Sequence, residues 1–162
     1  SSNYLGAVLF NHMAGVNIVR IPYKGSGPAM TAVMSGETQV MFPSAGGAAP
    51  HVKSGRLRAL AVGSAQPSAL APELPTIATS GIPGYVSEAL HAVFAPAGTP
   101  PAIVARLNQE IVRYLQSAEG RSLFLKGGIE AVSSSPDELT ATIKSEMAII
   151  GKVLKAAGIG PP

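Results

Sequence analysis

The chain has no cysteine among its 162 residues. That excludes disulfides, a thiol nucleophile and thiolate metal sites, and it suits an oxidising compartment without pointing to one. Charge and aromatics are scarce too, at 13% and 5%. No Lys/Arg cluster is denser than Lys53, Arg56 and Arg58. Nucleic-acid binding normally needs a basic stripe with stacking aromatics, so it is not expected here. No apolar run approaches the ~18 residues of a membrane-crossing helix. Ser1-Ser2-Asn3-Tyr4 lacks the basic stretch and apolar run of an export signal. Such a signal would have been removed or have lain upstream.

Catalytic patterns are also missing. Asp137 is the one aspartate, and His12, His51 and His91 are far apart without metal-ligand spacing. Ser44 lies in P-S-A-G-G rather than the G-x-S-x-G of a nucleophile elbow. The stretch GSGPAM has neither the G-K-[ST] of a phosphate loop nor the spacing of a dinucleotide fingerprint. With no acid–base pair standing out, the expectation is a non-enzyme with no cofactor and no metal site.

What is present is apolar content of 46%, with 18 glycines and 14 prolines. This composition can bury a core and implies many short elements, in one domain or parts of two. Residues 21–44, IPYKGSGPAMTAVMSGETQVMFPS, organise the rest. The β-branched run 16–22 predicts a strand that ends at Pro22. Lys24-Gly25-Ser26-Gly27 predicts a turn, with Pro28 at the first helical position. Met30, Val33 and Met34 share one helical face, and Gly36 is the expected stop. Residues 38–42 predict a second strand, followed by the loop Pro43-Ser44-Ala45-Gly46-Gly47. This is a βαβ unit, and in open α/β sheets ligands sit beyond the strand ends on such loops.

Around it, a first helix is predicted over 3–13, ended by Ala14-Gly15, and another over 47–54. A strand is expected over 58–63, a short helix over 75–80 and an extended segment over 85–96. Thr99 is the expected cap of a helix running to about residue 117, with Ile103, Leu107, Ile111, Tyr114 and Leu115 on one face. A shorter helix is expected over 118–126 and a small strand over 129–132. Ser135 and Glu138 predict a capping box with Pro136 at its first position. The last helix carries Leu139, Ile143, Met147, Ile150 and Leu154 and should end at Gly158.

Several of these positions suit an anion. Ser1, Ser2 and Asn3 are either ordinary caps or a helix-start anion site, where free N–H groups and the dipole favour a carboxylate. Tyr23 either packs over the sheet end or lines a cleft. Lys24 is either solvated or offers charge, and the N–H groups around Gly25 and Ser26 are equally plausible donors. In the loop Ser44, Ala45 and Gly46, small side chains let a ligand reach the backbone, and the Ser44 hydroxyl can donate.

Five stretches, in register, resemble the periplasmic substrate-binding proteins of tripartite tricarboxylate transporters, the Bug family. They are PYKGSGPAMTAVMSGETQVMF; SGRLRALAV at 54–62; LPT at 74–76 with GIPGY at 81–85; APAGTP at 95–100; and SPDE at 135–138. The resemblance covers nearly the whole chain. Three positions depart from it: Thr79 stands where a glutamate is usual, and Leu90 and Ala92 replace a W-x-G-like pattern. It implies an α/β, periplasmic-binding-protein-like lobe with a mixed sheet flanked by helices. Residues 1–96 would be the second lobe with a crossover strand, and 97–162 a C-terminal helical segment of the first lobe. The family's chains are nearly twice this long, so this sequence would be a fragment or a truncated relative lacking most of the first lobe. The resemblance further implies periplasmic capture of a small carboxylate or dicarboxylate for membrane transporter subunits. It strengthens the reading of Ser1, Ser2 and Asn3 as a carboxylate-holding loop and of Ser44 as a ligand-choosing position. A self-associating or protein-binding module is the alternative class. A homodimer is the expected assembly, because the helices after Ala97 would lack most of the sheet they cover in the family.

Overall fold

The structure, a computed structural model, describes residues 2–156. Six helices form among them: α1 (Ser2–Ala14), α2 (Ser26–Met34), α3 (Ala45–Lys53), α4 (Pro101–Gln116), α5 (Ala118–Lys126) and α6 (Pro136–Ala156). The chain divides into two compact units. One holds the residues up to Ala89 together with those from Ile150; the other is Leu90–Ile149.

The first unit is built on Tyr85, which is only 1% exposed, with Met30, Ala32 and Thr76 also buried. The Tyr85 hydroxyl donates to the Gly6 carbonyl in α1 at 3.1 Å. Phe10, one helical turn on, meets Tyr85 edge-on at 6.1 Å and Phe42 at 5.5 Å between ring centroids. Edge-to-face rings add stabilisation beyond their buried area. Gly6 suits this close packing, since a Cβ there would stand 2.8 Å from Ser87 Oγ and force that hydroxyl to turn away.

α2 begins two residues before Pro28. Gly25 caps it with φ 109° and ψ 173°, a conformation only glycine adopts freely. Gly36, at φ 82°, closes it as expected, with the N–H groups of Ser35 and Gly36 on the carbonyls of Thr31 and Val33. α3 starts at Ala45 rather than residue 47, directly after Ser44.

The expected mixed sheet is not formed as a ladder among the described residues. The segments 16–22, 38–42, 58–63, 85–96 and 129–132 run without strand assignment, apart from one parallel bridge between Val62 and Thr76. A strand persists only where neighbours exchange backbone bonds with it. At Ile18 a side chain takes those bonds. The Asn11 carboxamide donates to the Ile18 carbonyl at 3.0 Å and accepts its N–H at 3.3 Å, the two bonds an adjacent strand would make. Val62 N–H reaches Pro75, Ile77 N–H reaches Val62, and Ser87 N–H reaches Gly63, so these three short pieces lie side by side.

The short helix expected over 75–80 is a turn. The Thr76 hydroxyl accepts the Thr79 N–H, while the hydroxyls of Thr79 and Ser80 donate to the Thr76 carbonyl. Such local side-chain bonds compete with helix propagation.

In the second unit, Thr99 does not cap α4. Its hydroxyl turns back to the Pro96 carbonyl at 2.8 Å, and Pro100 is the cap residue. α5 spans the expected residues, with Ser117 Oγ accepting the Gly120 N–H at 3.0 Å. Gly120 fits because a Cβ there would collide with the Tyr114 carbonyl oxygen. α6 opens with the expected capping box. Ser135 N–H and Oγ–H donate to Glu138 Oε2 at 2.7 and 2.9 Å, and Glu138 N–H donates to Ser135 Oγ at 3.2 Å. Its expected end at Gly158 lies outside the described residues. Asn108 Nδ2 holds the Ser134 carbonyl at 2.9 Å, which ties the extended chain before α6 to α4. The apolar stripe of α4 is not buried: Ile103 and Leu107 stay half-exposed.

Candidate functional site

The first unit presents three helix starts of one character, which α4 of the other unit shares. None of α1, α2 and α3 has an acidic residue in its first turn. Neither α2 nor α3 has a side-chain hydrogen bond at its cap. The first N–H groups of a helix lack intrahelical partners and carry the positive end of the dipole. An anion is the group such a terminus accepts.

Ser2 and Asn3 lie exposed in the first turn of α1; Ser1 lies outside the described residues. Gly25 and Ser26 form the start of α2, after exposed Lys24. Ser44 is the cap residue of α3, with Ala45 and Gly46 in its first turn. The Ser44 hydroxyl stands 3.1 Å from where a Gly47 Cβ would be, so glycine keeps that turn open. The Met30 methyl lies 3.7 Å from the same point, which seats the α3 start on the buried face of α2. The Phe10–Phe42 contact ties α1 to the chain two residues before Ser44. Among the described residues, the side chains of Ser2, Asn3, Lys24, Ser26 and Ser44 make no hydrogen bond or ion pair.

Tyr23 is placed differently. Its hydroxyl donates to Glu37 Oε1 at 3.0 Å, linking the chain before α2 to the chain after it. Lost water contact and the nearby Glu37 carboxylate raise its pKa, so the phenol stays protonated. Glu37 was not singled out by sequence reasoning. One signal could have found it: it is the only acidic residue before Glu73. The stretch before Glu73 carries Arg20, Lys24, Lys53, Arg56 and Arg58 against Glu37 alone, a net positive balance in sequence. Backbone donors, hydroxyls and dipoles of this kind are groups that attract small anions without a fixed ion pair.

The family described as tripartite tricarboxylate transporter family receptor, TctC, matches residues 1–159. The chain belongs to this receptor family. Protein BugT of Bordetella pertussis is 35% identical over 158 residues, covering 98% of this chain and 48% of that one. An R. palustris structure solved with adipate superposes with a TM-score of 0.87 at 35% identity, covering 100% of this chain and 54% of that one. MatC from Rhodopseudomonas palustris, solved with bound malate, has a TM-score of 0.74 at 26% identity, covering 95% and 53%. The fold is therefore periplasmic-binding-protein-like, and the chain spans about half the length of these TctC relatives. No helix among the described residues is long and apolar enough to cross a membrane.

Proposed function

We propose that this TctC-family chain binds a small carboxylate or dicarboxylate at the starts of α1, α2 and α3, as part of a periplasmic solute receptor serving membrane transporter subunits. The observation that carries this is the set of three acid-free helix starts whose polar side chains are uncommitted. The adipate and malate of the neighbouring structures are of the same chemical class. Ser1, Ser2 and Asn3 supply one group of donors, Lys24, Gly25 and Ser26 the second, and Ser44, Ala45 and Gly46 the third. Tyr23 lines the site with its hydroxyl held by Glu37. The extended segments 16–22, 38–42 and 58–63 are where the strands of this lobe run. Residues 1–96 act as the second lobe and 97–162 as a helical segment of the first. The role is binding and release, with no bond made or broken.

The half-exposed stripe of α4 favours a second reading, self-association as a homodimer, because exposed apolar surface of this kind drives association. Light scattering across a concentration series tests it, and a monomer throughout rejects it.

The test of the main reading is calorimetric titration of adipate and malate into the native protein and the Ser2→Ala/Ser44→Ala double variant. The double variant should bind more weakly by about 1–3 kcal/mol in total. Equal affinity in both proteins rejects the placement.

A further inference from the structure

The first unit contains a groove that is lined by none of the proposed donor residues, although its Tyr4 stands in the first turn of α1. It is open to solvent, has a volume of about 460 Å³ and lies between α1 and the exposed, extended residues 16–20. Volumes of this size suit small molecules. Tyr4, Val8, Asn11 and His12 form the α1 wall. The opposite wall is fixed by the two Asn11–Ile18 hydrogen bonds. Val16 and Val19, on that wall, remain 45% and 73% exposed, leaving apolar surface that a ligand's body would cover.

Arg20 also lines this groove. Its guanidinium carbon sits 4.4 Å from the centroid of the Tyr4 ring, a cation–π stack that holds the planar group against α1. Stacking uses the face of the guanidinium and leaves its edge donors available. Among the described residues Arg20 makes no ion pair. The one acidic residue before Glu73 is Glu37, which accepts from Tyr23. A held, unpaired guanidinium beside an apolar wall recognises a carboxylate bidentately and covers its apolar tail. We infer that this groove is a second ligand site, selective for a small monocarboxylate with an apolar body. It is separate from the dicarboxylate reading of the helix starts and does not depend on it.

The test is calorimetric titration with octanoate, beside adipate, on the native protein and its variants. Native protein should bind octanoate saturably, and Arg20→Gln should weaken that binding at least tenfold while leaving adipate binding unchanged. Arg20→Lys, which keeps the charge but not the fork, should fall between them. Ser2→Ala/Ser44→Ala should keep native octanoate affinity, whatever it does to adipate. If Arg20→Gln does not fold by thermal melting, Val8→Glu places a repelling carboxylate in the groove and should give the same loss. No saturable octanoate binding, unchanged affinity in the folded Arg20 or Val8 variant, or displacement of octanoate by adipate overturns the proposal.

Discussion

The two units treat the unpaired N–H groups at their helix starts differently, with the exception of α4, which also lacks a side-chain cap bond and a first-turn acid. In Leu90–Ile149, α5 is capped by Ser117 and α6 by the reciprocal Ser135–Glu138 pair. Acids stand in both first turns, Glu119 in α5 and Asp137 with Glu138 in α6. In the first unit α2 and α3 have no side-chain cap bond, and none of its three helix starts holds an acid. A cap takes up one of the free donors of a helix start, and a first-turn acid repels an anion, whereas a start with neither keeps its donors and dipole for an external anion. Burial divides the units in the same way. Tyr85, Met30 and Ala32 give the first unit a core, while the only buried residue of the second is Gly120. The open starts of α1, α2 and α3 thus belong to the unit with the packed frame.

The largest expected effect tests that frame. Tyr85→Ala removes the buried ring and its bond to Gly6, and should cost about 3–5 kcal/mol in denaturant unfolding. A loss below 1 kcal/mol would mean that the core of the first unit lies elsewhere. Burial raises the Tyr85 pKa, so the folded state favours the protonated phenol. Its contribution is complete below the ordinary tyrosine range and is lost as pH rises through the raised value. Alkaline melting should therefore lower native stability more than that of Tyr85→Phe.

The next effect tests the closed helix starts. Ser135→Ala removes the capping box and should cost about 0.5–2 kcal/mol. The backbone N–H and hydroxyl of Ser135 hold the Glu138 pKa below the ordinary carboxylate range. That stabilisation is present above the ordinary range and is lost as pH falls through the lowered value. The gap between the melting curves of native and Ser135→Ala proteins should then narrow in acid, where the Ser135 hydroxyl loses its carboxylate acceptor. A gap that is constant with pH would show that Glu138 does not complete the cap. The smallest effect comes from Leu107→Ala, which removes a half-exposed side chain and should cost about 1 kcal/mol. A loss comparable to that of Tyr85→Ala would mean that the α4 stripe is covered in solution.

The sequence was most legible where signals are local. Ser135-Pro136-Asp137-Glu138 places a cap, its partner and a proline within four residues, and the box forms as read. The bounds of α5 and the stop at Gly36 were equally plain. Misreadings arose where two local options compete. Thr99 could cap α4 but bonds back to Pro96, and Gly25 reaches a conformation that starts α2 before Pro28. Most of what was missed is non-local. Nothing near Asn11 in the chain announces that its carboxamide stands in for a strand beside Ile18, and Tyr85 bonds Gly6 across 79 residues. For the candidate site, the serines and glycines at the helix starts could be read from capping chemistry. The Tyr23–Glu37 bond and the Arg20–Tyr4 stack could not, because each depends on where α1 and α2 pack.

The most direct test of the contrast between open and closed helix starts is amide NMR during an adipate titration. The account predicts saturable shifts at the N–H groups of Ser26, Gly27, Ala45 and Gly46, with Gly120 and Glu138 unmoved. Shifts of equal size at both sets, or none at the first, would contradict it.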